Sequence, residues 1–91
     1  MPYTITLASR AVEKQLAAVA SSDRERCIAH IRTLALTPRP RGAKALAKDV
    51  YQIRVGRHRI IYKVLEKEAG ILIGKIAPRT ERTYQDLARL F

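Results

Sequence analysis

Along the chain, the spacing of apolar positions switches between two periods. Residues 3–7, Tyr-Thr-Ile-Thr-Leu, alternate and are rich in β-branched types, which predicts a first strand. Val12, Leu16, Val19 and Ala20 then follow helical spacing, with Glu13, Lys14 and Gln15 on the polar side, and predict a helix over about residues 9–20. Ser21-Ser22-Asp23 interrupts that pattern. Ser22 and Glu25 have the spacing of a capping box, so a second helix is expected to start at Asp23. Cys27, Ile28, Ile31, Leu34 and Ala35 form its apolar stripe, and Pro38-Arg39-Pro40 stops it, because proline lacks the amide hydrogen a helix needs. Two helices with so short a break make a helical hairpin.

After Gly42 the period becomes two. Tyr51, Ile53 and Val55 alternate with Val50, Gln52 and Arg54; Gly56-Arg57-His58 supplies a turn; Ile60, Tyr62 and Val64 then alternate with Arg59, Ile61 and Lys63. That is a β-hairpin with one apolar and one cationic face. Residues 66–70 turn the chain again, and residues 71–77 form a further strand, whose alternation places Lys75 on the face of Ile71 and Ile73. Pro78 ends it, and Thr80 can cap a short last helix in which Tyr84, Leu87 and Leu90 share a side. The expected order is β-α-α-β-β-β-α, an α+β fold in which the N-terminal helical hairpin packs on one face of a small antiparallel-rich sheet. Residues 1–91 fit one domain.

Register assigns roles to the two faces. Tyr51, Ile53, Val55, Ile60, Tyr62 and Val64 are the natural seat for the helices, which makes Tyr51 and Tyr62 packing residues. Gln52 and Arg54 share the opposite face, which Arg59, Lys63 and Lys75 can join from neighbouring strands. Cys27 reads as a small core hydrophobe, His30 as a residue on its helix rim, and His58 as a turn residue.

Charge gives that second face a purpose. The chain carries 18 Lys and Arg against 8 Asp and Glu, a formal net charge of +10. Arg39, Arg41, Lys44, Lys48, Arg54, Arg57, Arg59 and Lys63 face a single acid, Asp49, across residues 39–63, a net +7 in that stretch. Such an excess favours a polyanionic partner, nucleic acid above all. The single cysteine excludes an internal disulfide framework, and no Cys/His group has zinc spacing. No apolar run approaches the ~20 residues of a membrane span. The expectation is a reduced, cytoplasmic protein without metal, cofactor or membrane.

Two segments carry a family likeness. Arg39-Pro-Arg-Gly-Ala-Lys-Ala-Leu46 followed by Val50-Tyr-Gln-Ile-Arg-Val-Gly-Arg-His-Arg-Ile-Ile-Tyr-Lys-Val64 resembles the RelE/ParE toxin superfamily of toxin–antitoxin systems, on the RelE-like side. That pattern is a loop ending in Lys-x-Leu, a Tyr-x-Ile-Arg strand, a glycine turn, an Arg-Ile-Ile-Tyr strand, and a last strand leading to arginines and a tyrosine. The resemblance implies a toxin held inactive by a cognate acidic antitoxin. It leaves two branches on one fold: RelE-like members cleave mRNA without metal, many of them in the ribosomal A site, and ParE-like members poison DNA gyrase. Carried onto this chain, the catalytic set is Arg54, Arg59, Arg79 or Arg82, and Tyr84. Arg39, Arg41, Lys44, Lys48, Gln52, Arg57, Lys63 and Lys75 would bind RNA and rRNA. Gln52 departs from the lysine that RelE-like enzymes carry there, and Arg79-Thr-Glu-Arg-Thr-Tyr84 departs in spacing.

The chemistry asks for a base at the ribose 2′-hydroxyl, cations at the phosphorane, and an acid at the 5′-oxygen. Guanidinium forks suit the phosphorane. Tyr84 would need neighbouring cations to act as acid or base near neutrality, and it could instead stack on a base. The expected activity is therefore a metal-independent endoribonuclease acting on mRNA at the ribosome. The alternatives are a gyrase inhibitor without chemistry and a plain RNA-binding module.

Overall fold

The computed structural model describes residues 2–78 and 87–91. In chain order these form β1 (Thr4–Leu7), α1 (Arg10–Ala18), α2 (Ser21–Leu34), β2 (Lys44–Ala47), β3 (Val50–Val55), β4 (His58–Leu65), β5 (Gly70–Pro78) and a 3-10 turn at Leu87–Leu90. The strands make one mixed sheet in the order β1-β5-β4-β3-β2, parallel only between β1 and β5. Both helices lie on one face, α1 along β5 and α2 over β3. Fold class and hairpin therefore stand as the sequence predicts.

The core is the layer between helices and sheet. Val12 and Val19 from the first helical segment, Cys27, Ile31 and Leu34 from α2, and Ile53, Val55, Ile60, Tyr62, Val64, Ile71, Ile73 and Ile76 from the strands are all buried there. Each fully buried aliphatic side chain contributes roughly 1.5–3 kcal/mol. Burial raises the Cys27 thiol above its ordinary value, in keeping with a packing role. The part of β5 that β1 does not reach is closed by a side chain: Gln15 Oε1 accepts the Ile76 amide at 2.8 Å. An open strand edge is thereby satisfied by a helix.

Three local expectations need correction. The second helix starts at Ser21, with Ala20 as its N-cap and no side-chain capping bond, so Ser22 and Glu25 do not form a capping box. Val19, in extended backbone, and Ala20, at ψ 144°, both leave helical geometry, and they alone make the break. Second, a short strand, β2, precedes the hairpin; Lys-Ala-Leu-Ala is weakly β-forming and pairs at the sheet edge, with a register shift between Ala45 and Ala47. Third, Lys75 is not on the face of Ile71 and Ile73. A bulge opposite Ile61 and Tyr62 inserts Gly74, so Ile61 pairs with Lys75 and Tyr62 with Ile73. The extra residue resets the alternation and turns Lys75 to the cationic side. The last helix expected from Thr80 is seen only as the Leu87–Leu90 turn; its beginning lies outside the described residues.

Candidate nucleic-acid interface

The sheet face away from the helices carries a lattice of cations fixed by register. Arg54 on β3 sits directly opposite Arg59 on β4, and Arg59 in turn opposite Ala77 on β5. The next row on the same face runs Lys44, Gln52, Ile61, Lys75 across four strands, and a third row pairs Val50 with Lys63 and Leu72. Arg54 is exposed and Arg59, Lys63 and Lys75 are half-buried, while Gln52 is only 5% exposed and is the buried polar residue of the sheet. Directly opposed side chains on one face have Cβ atoms about 5 Å apart, and like charges there repel. Arg54 and Arg59 thus place two arginines at one register position of this face.

Part of this face is covered. Leu87 lies beside Lys44, Ala45 and Leu46 of β2, whereas a Cβ placed on Gly74 of β5 would fall 2.5 Å from Phe91 Cε1 and 3.0 Å from Leu90 Cβ. Because β3 and β4 lie between β2 and β5, the C-terminal turn crosses the cationic side of the sheet. Gly74 is what lets Phe91 approach. The helices leave this face uncovered, as expected, but the chain's own end occupies its middle.

A cleft of about 530 Å³ opens where β2 begins. Its walls are Arg41 and Gly42 from the loop before β2, Lys44, Gln52 and Arg54 from the sheet, and His30 and Thr33 from α2. Arg26, also on α2, lies over the β3–β4 turn, its Nη1 3.3 Å from where a Cβ on Gly56 would stand, beside exposed Arg57. Arg26 and His30 are functional candidates that sequence reasoning misses. Their i, i+4 spacing puts both on one side of a helix, but nothing in it says that this side borders β3.

Arg39 is placed elsewhere. It lies on the helix side of the sheet, where its Nη2 pairs with Glu66 at 2.5 Å, its Nε donates to Tyr51 Oη at 2.8 Å, and its guanidinium stands 5.4 Å from the Tyr51 ring centroid. Tyr3 Oη donates to the other Glu66 oxygen at 2.7 Å. Tyr51 stacks on Tyr62, and the Tyr62 hydroxyl donates to the Pro38 carbonyl at 2.8 Å. Burial pushes the Tyr62 phenol up to about 12, so it is a permanent donor. Arg39 thus anchors the loop that follows α2.

Of the remaining candidates, Lys48 is exposed in the β2–β3 turn, at the end of β3 opposite to Arg54. Arg79, Arg82 and Tyr84 lie outside the described residues. His58 shares the helix-side face with Ile60 and borders a smaller cleft of about 300 Å³ with Gln15, Val19 and Lys75; its Nδ1 is buried without a hydrogen-bond partner among the described residues. It is thereby separated from the Arg54–Arg59 pair. Among the described residues no group of three His, Cys, Asp or Glu side chains is placed to hold a metal ion, and no helix is long and apolar enough to cross a membrane.

Comparison with known proteins gives the family and the fold. Residues 7–83 match the family described as the ParE toxin of the type II toxin–antitoxin system parDE. The structure superposes on a chain of the archaeal RelE–RelB complex from Pyrococcus horikoshii OT3, with 27% identity, a TM-score of 0.76, and 90% of this chain and 100% of that one covered. It is similar in fold to the isolated Escherichia coli RelE toxin at 18% identity and TM-score 0.76, covering 98% of this chain and 99% of that one. A chain of the RelBE2 toxin–antitoxin complex of Mycobacterium tuberculosis has the same fold at 18% identity and TM-score 0.71, covering 87% and 100%. No curated protein matches the sequence.

Proposed function

The chain belongs to the ParE toxin family of type II toxin–antitoxin systems and has a RelE-like structure, and from that premise we propose that it is an endoribonuclease which cleaves mRNA at the ribosome in the cytoplasm, without a metal. The carrying observation is the Arg54–Arg59 pair, two arginines at directly opposed register positions on the sheet face that the helices leave uncovered. The ribose 2′-oxygen attacks the adjacent phosphorus, the bond to the 5′-oxygen breaks, and the phosphorane between them carries an extra negative charge. Arg54 and Arg59 bind that charge bidentately, which strengthens their hold as the reaction proceeds. A proton must leave the 2′-hydroxyl and another must reach the 5′-oxygen; Tyr84, with Arg79 or Arg82, takes part in that transfer. Lys44, Lys63 and Lys75 flank the pair and hold the neighbouring backbone and rRNA, with Arg41, Lys48 and Arg57 extending the basic rim. Gln52, buried between Lys44 and Ile61, supplies a neutral amide where RelE-like enzymes carry a lysine.

The partner that silences the toxin is an acidic antitoxin. Two of the similar structures are toxin–antitoxin complexes, and the net charge of +10 is the complement of such a chain.

A second reading, gyrase inhibition without chemistry, has its own support in the matching ParE family and in Gln52. Inducible expression, with primer extension on a reporter mRNA and inspection of plasmid supercoiling, separates the two. Growth arrest with new cuts inside translated codons, lost on Arg59→Ala and on Tyr84→Phe while antitoxin binding persists, is the expected outcome. Arrest with intact mRNA and relaxed or broken DNA would transfer the function to gyrase, and undiminished cutting by both variants would remove this site.

A further inference from the structure

The cleft at the start of β2 contains a hydrogen-bond acceptor among cations. β2 pairs with β3 only as far as Gln52, so beyond that residue β3 has no strand on its outer side, and the cleft wraps around this edge from the cationic face to α2. Arg41, Lys44 and Arg54 bring three positive groups to it. His30 brings something different. Its Nδ1 lies 2.9 Å from the Arg26 carbonyl oxygen, four residues back on the same helix. A carbonyl only accepts, so Nδ1 carries the hydrogen, and in the neutral ring Nε2 is left with a lone pair. Thr33 uses its hydroxyl hydrogen on the His30 carbonyl at 2.7 Å, which leaves its oxygen as an acceptor too.

Acceptors in a cationic cleft are idle against a phosphodiester alone, and against a carboxylate, because neither has a hydrogen to donate. A ribose phosphate fits both halves: the phosphate faces the cations and the 2′-hydroxyl donates to an acceptor. The volume, about 530 Å³, lies in the range of small-molecule sites. We propose that this cleft binds a ribose–phosphate unit of RNA, with Arg41, Lys44 and Arg54 on the phosphate and His30 Nε2 accepting the 2′-hydroxyl hydrogen. It thereby distinguishes RNA from DNA, since the 2′-hydroxyl is the group that marks RNA at a given position. The inference rests on the RNA-directed reading and extends it: the bound strand leaves the sheet face over the free edge of β3 and meets α2.

The test uses the full chain and ligands that cannot be cleaved, adenosine 3′-monophosphate and 2′-deoxyadenosine 3′-monophosphate, titrated by NMR with the His30 imidazole nitrogens as reporter. The ribonucleotide should bind about tenfold more tightly, the scale of one well-placed hydrogen bond, and shift the His30 Nε2 resonance. His30→Ala should bring its affinity down to that of the deoxynucleotide, and His30→Gln, which restores an acceptor, should recover part of the difference. His30 is exposed on a helix, where alanine and glutamine both support the fold. Equal affinities in the wild type, or a preference that survives His30→Ala, would overturn the assignment. So would a polyglutamate peptide that shifts the cleft residues when neither nucleotide does, which would give the cleft to an acidic protein. A ribose preference without any mRNA cutting in cells would sink the nuclease reading and leave the cleft as an RNA site.

Discussion

Arg59 and Ile60 are neighbours in the chain and belong to different surfaces. Ile60 points to the helices and is fully buried among Ile53, Tyr62, Ile76 and the α2 stripe; Arg59 points the other way, opposite a second arginine. One side of the sheet is an apolar layer in which removal of any side chain leaves a void. The other mixes cations, a buried amide, a glycine and the chain's own C-terminal turn. Local consistency marks the first face as structural. The second face departs from it with like charges paired across strands, and such departures concentrate where a ligand is bound.

The sharpest way to break this contrast is to truncate both neighbours. Ile60→Ala should destabilise by about 3 kcal/mol, since it removes buried methyl groups and leaves a cavity; for a domain of this length that lowers Tm by roughly 12–24 °C. Arg59→Ala, at a half-buried position, should cost clearly less, about 1 kcal/mol, the centre of the range for single substitutions. Thermal denaturation of the two variants, set beside their RNA cleavage, measures both. If Arg59→Ala unfolds the protein as Ile60→Ala does, the two faces are not distinct in kind.

The helix-side face is almost fully legible in the sequence: period-two alternation over β3 and β4 and the helical spacing of Cys27, Ile31 and Leu34 name most of its members. The cationic face is legible in part. Arg54 and Arg59 follow from alternation, yet Lys75 reaches this side only through the bulge, for which a glycine inside a strand is the available signal. Arg39 cannot be sorted from its neighbours in the basic run, because its partners Glu66 and Tyr51 are 27 and 12 residues away in sequence. β2 escapes notice because Ala and Leu carry no strand signal of their own, and edge pairing supplies what propensity does not. His30 and Arg26 join the cleft through the packing of α2 on β3, a tertiary fact that no local window contains.

Gly74 offers an intermediate test, because it ties the cationic face to the C-terminal turn. Gly74→Ala introduces a Cβ within 2.5 Å of the Phe91 ring. The Phe91 ring must swing away, and Leu90 Cβ, 3.0 Å from the new atom, must give as well, at a cost of about 1–3 kcal/mol. Hydrogen exchange at Leu90 and Phe91 should accelerate, while exchange on the helix side, at Ile60 and Tyr62, should not. Unchanged protection of the last two residues would show that the turn does not lie on this face.

The smallest effect concerns the one cation of the basic run that the helix side has captured. Glu66 accepts the Tyr3 hydroxyl and pairs with Arg39, and these partners, the Tyr3 bond first, hold its carboxyl below the ordinary carboxylate range. A group whose folded value is depressed contributes stability that is fully present above its unfolded value, about 4.3, and is lost as pH falls through the folded value. Wild type should therefore exceed Glu66→Gln in Tm at neutral pH, and the gap should close below about pH 4 as the carboxylate is protonated and releases Arg39. The pair is exposed, so salt should narrow the gap as well. A gap independent of pH would mean that Arg39 is held by Tyr51 alone, through the 2.8 Å bond and the ring beneath it. Its charge would then be only loosely tied to the helix side, and Arg39 would return to the cations that can serve RNA.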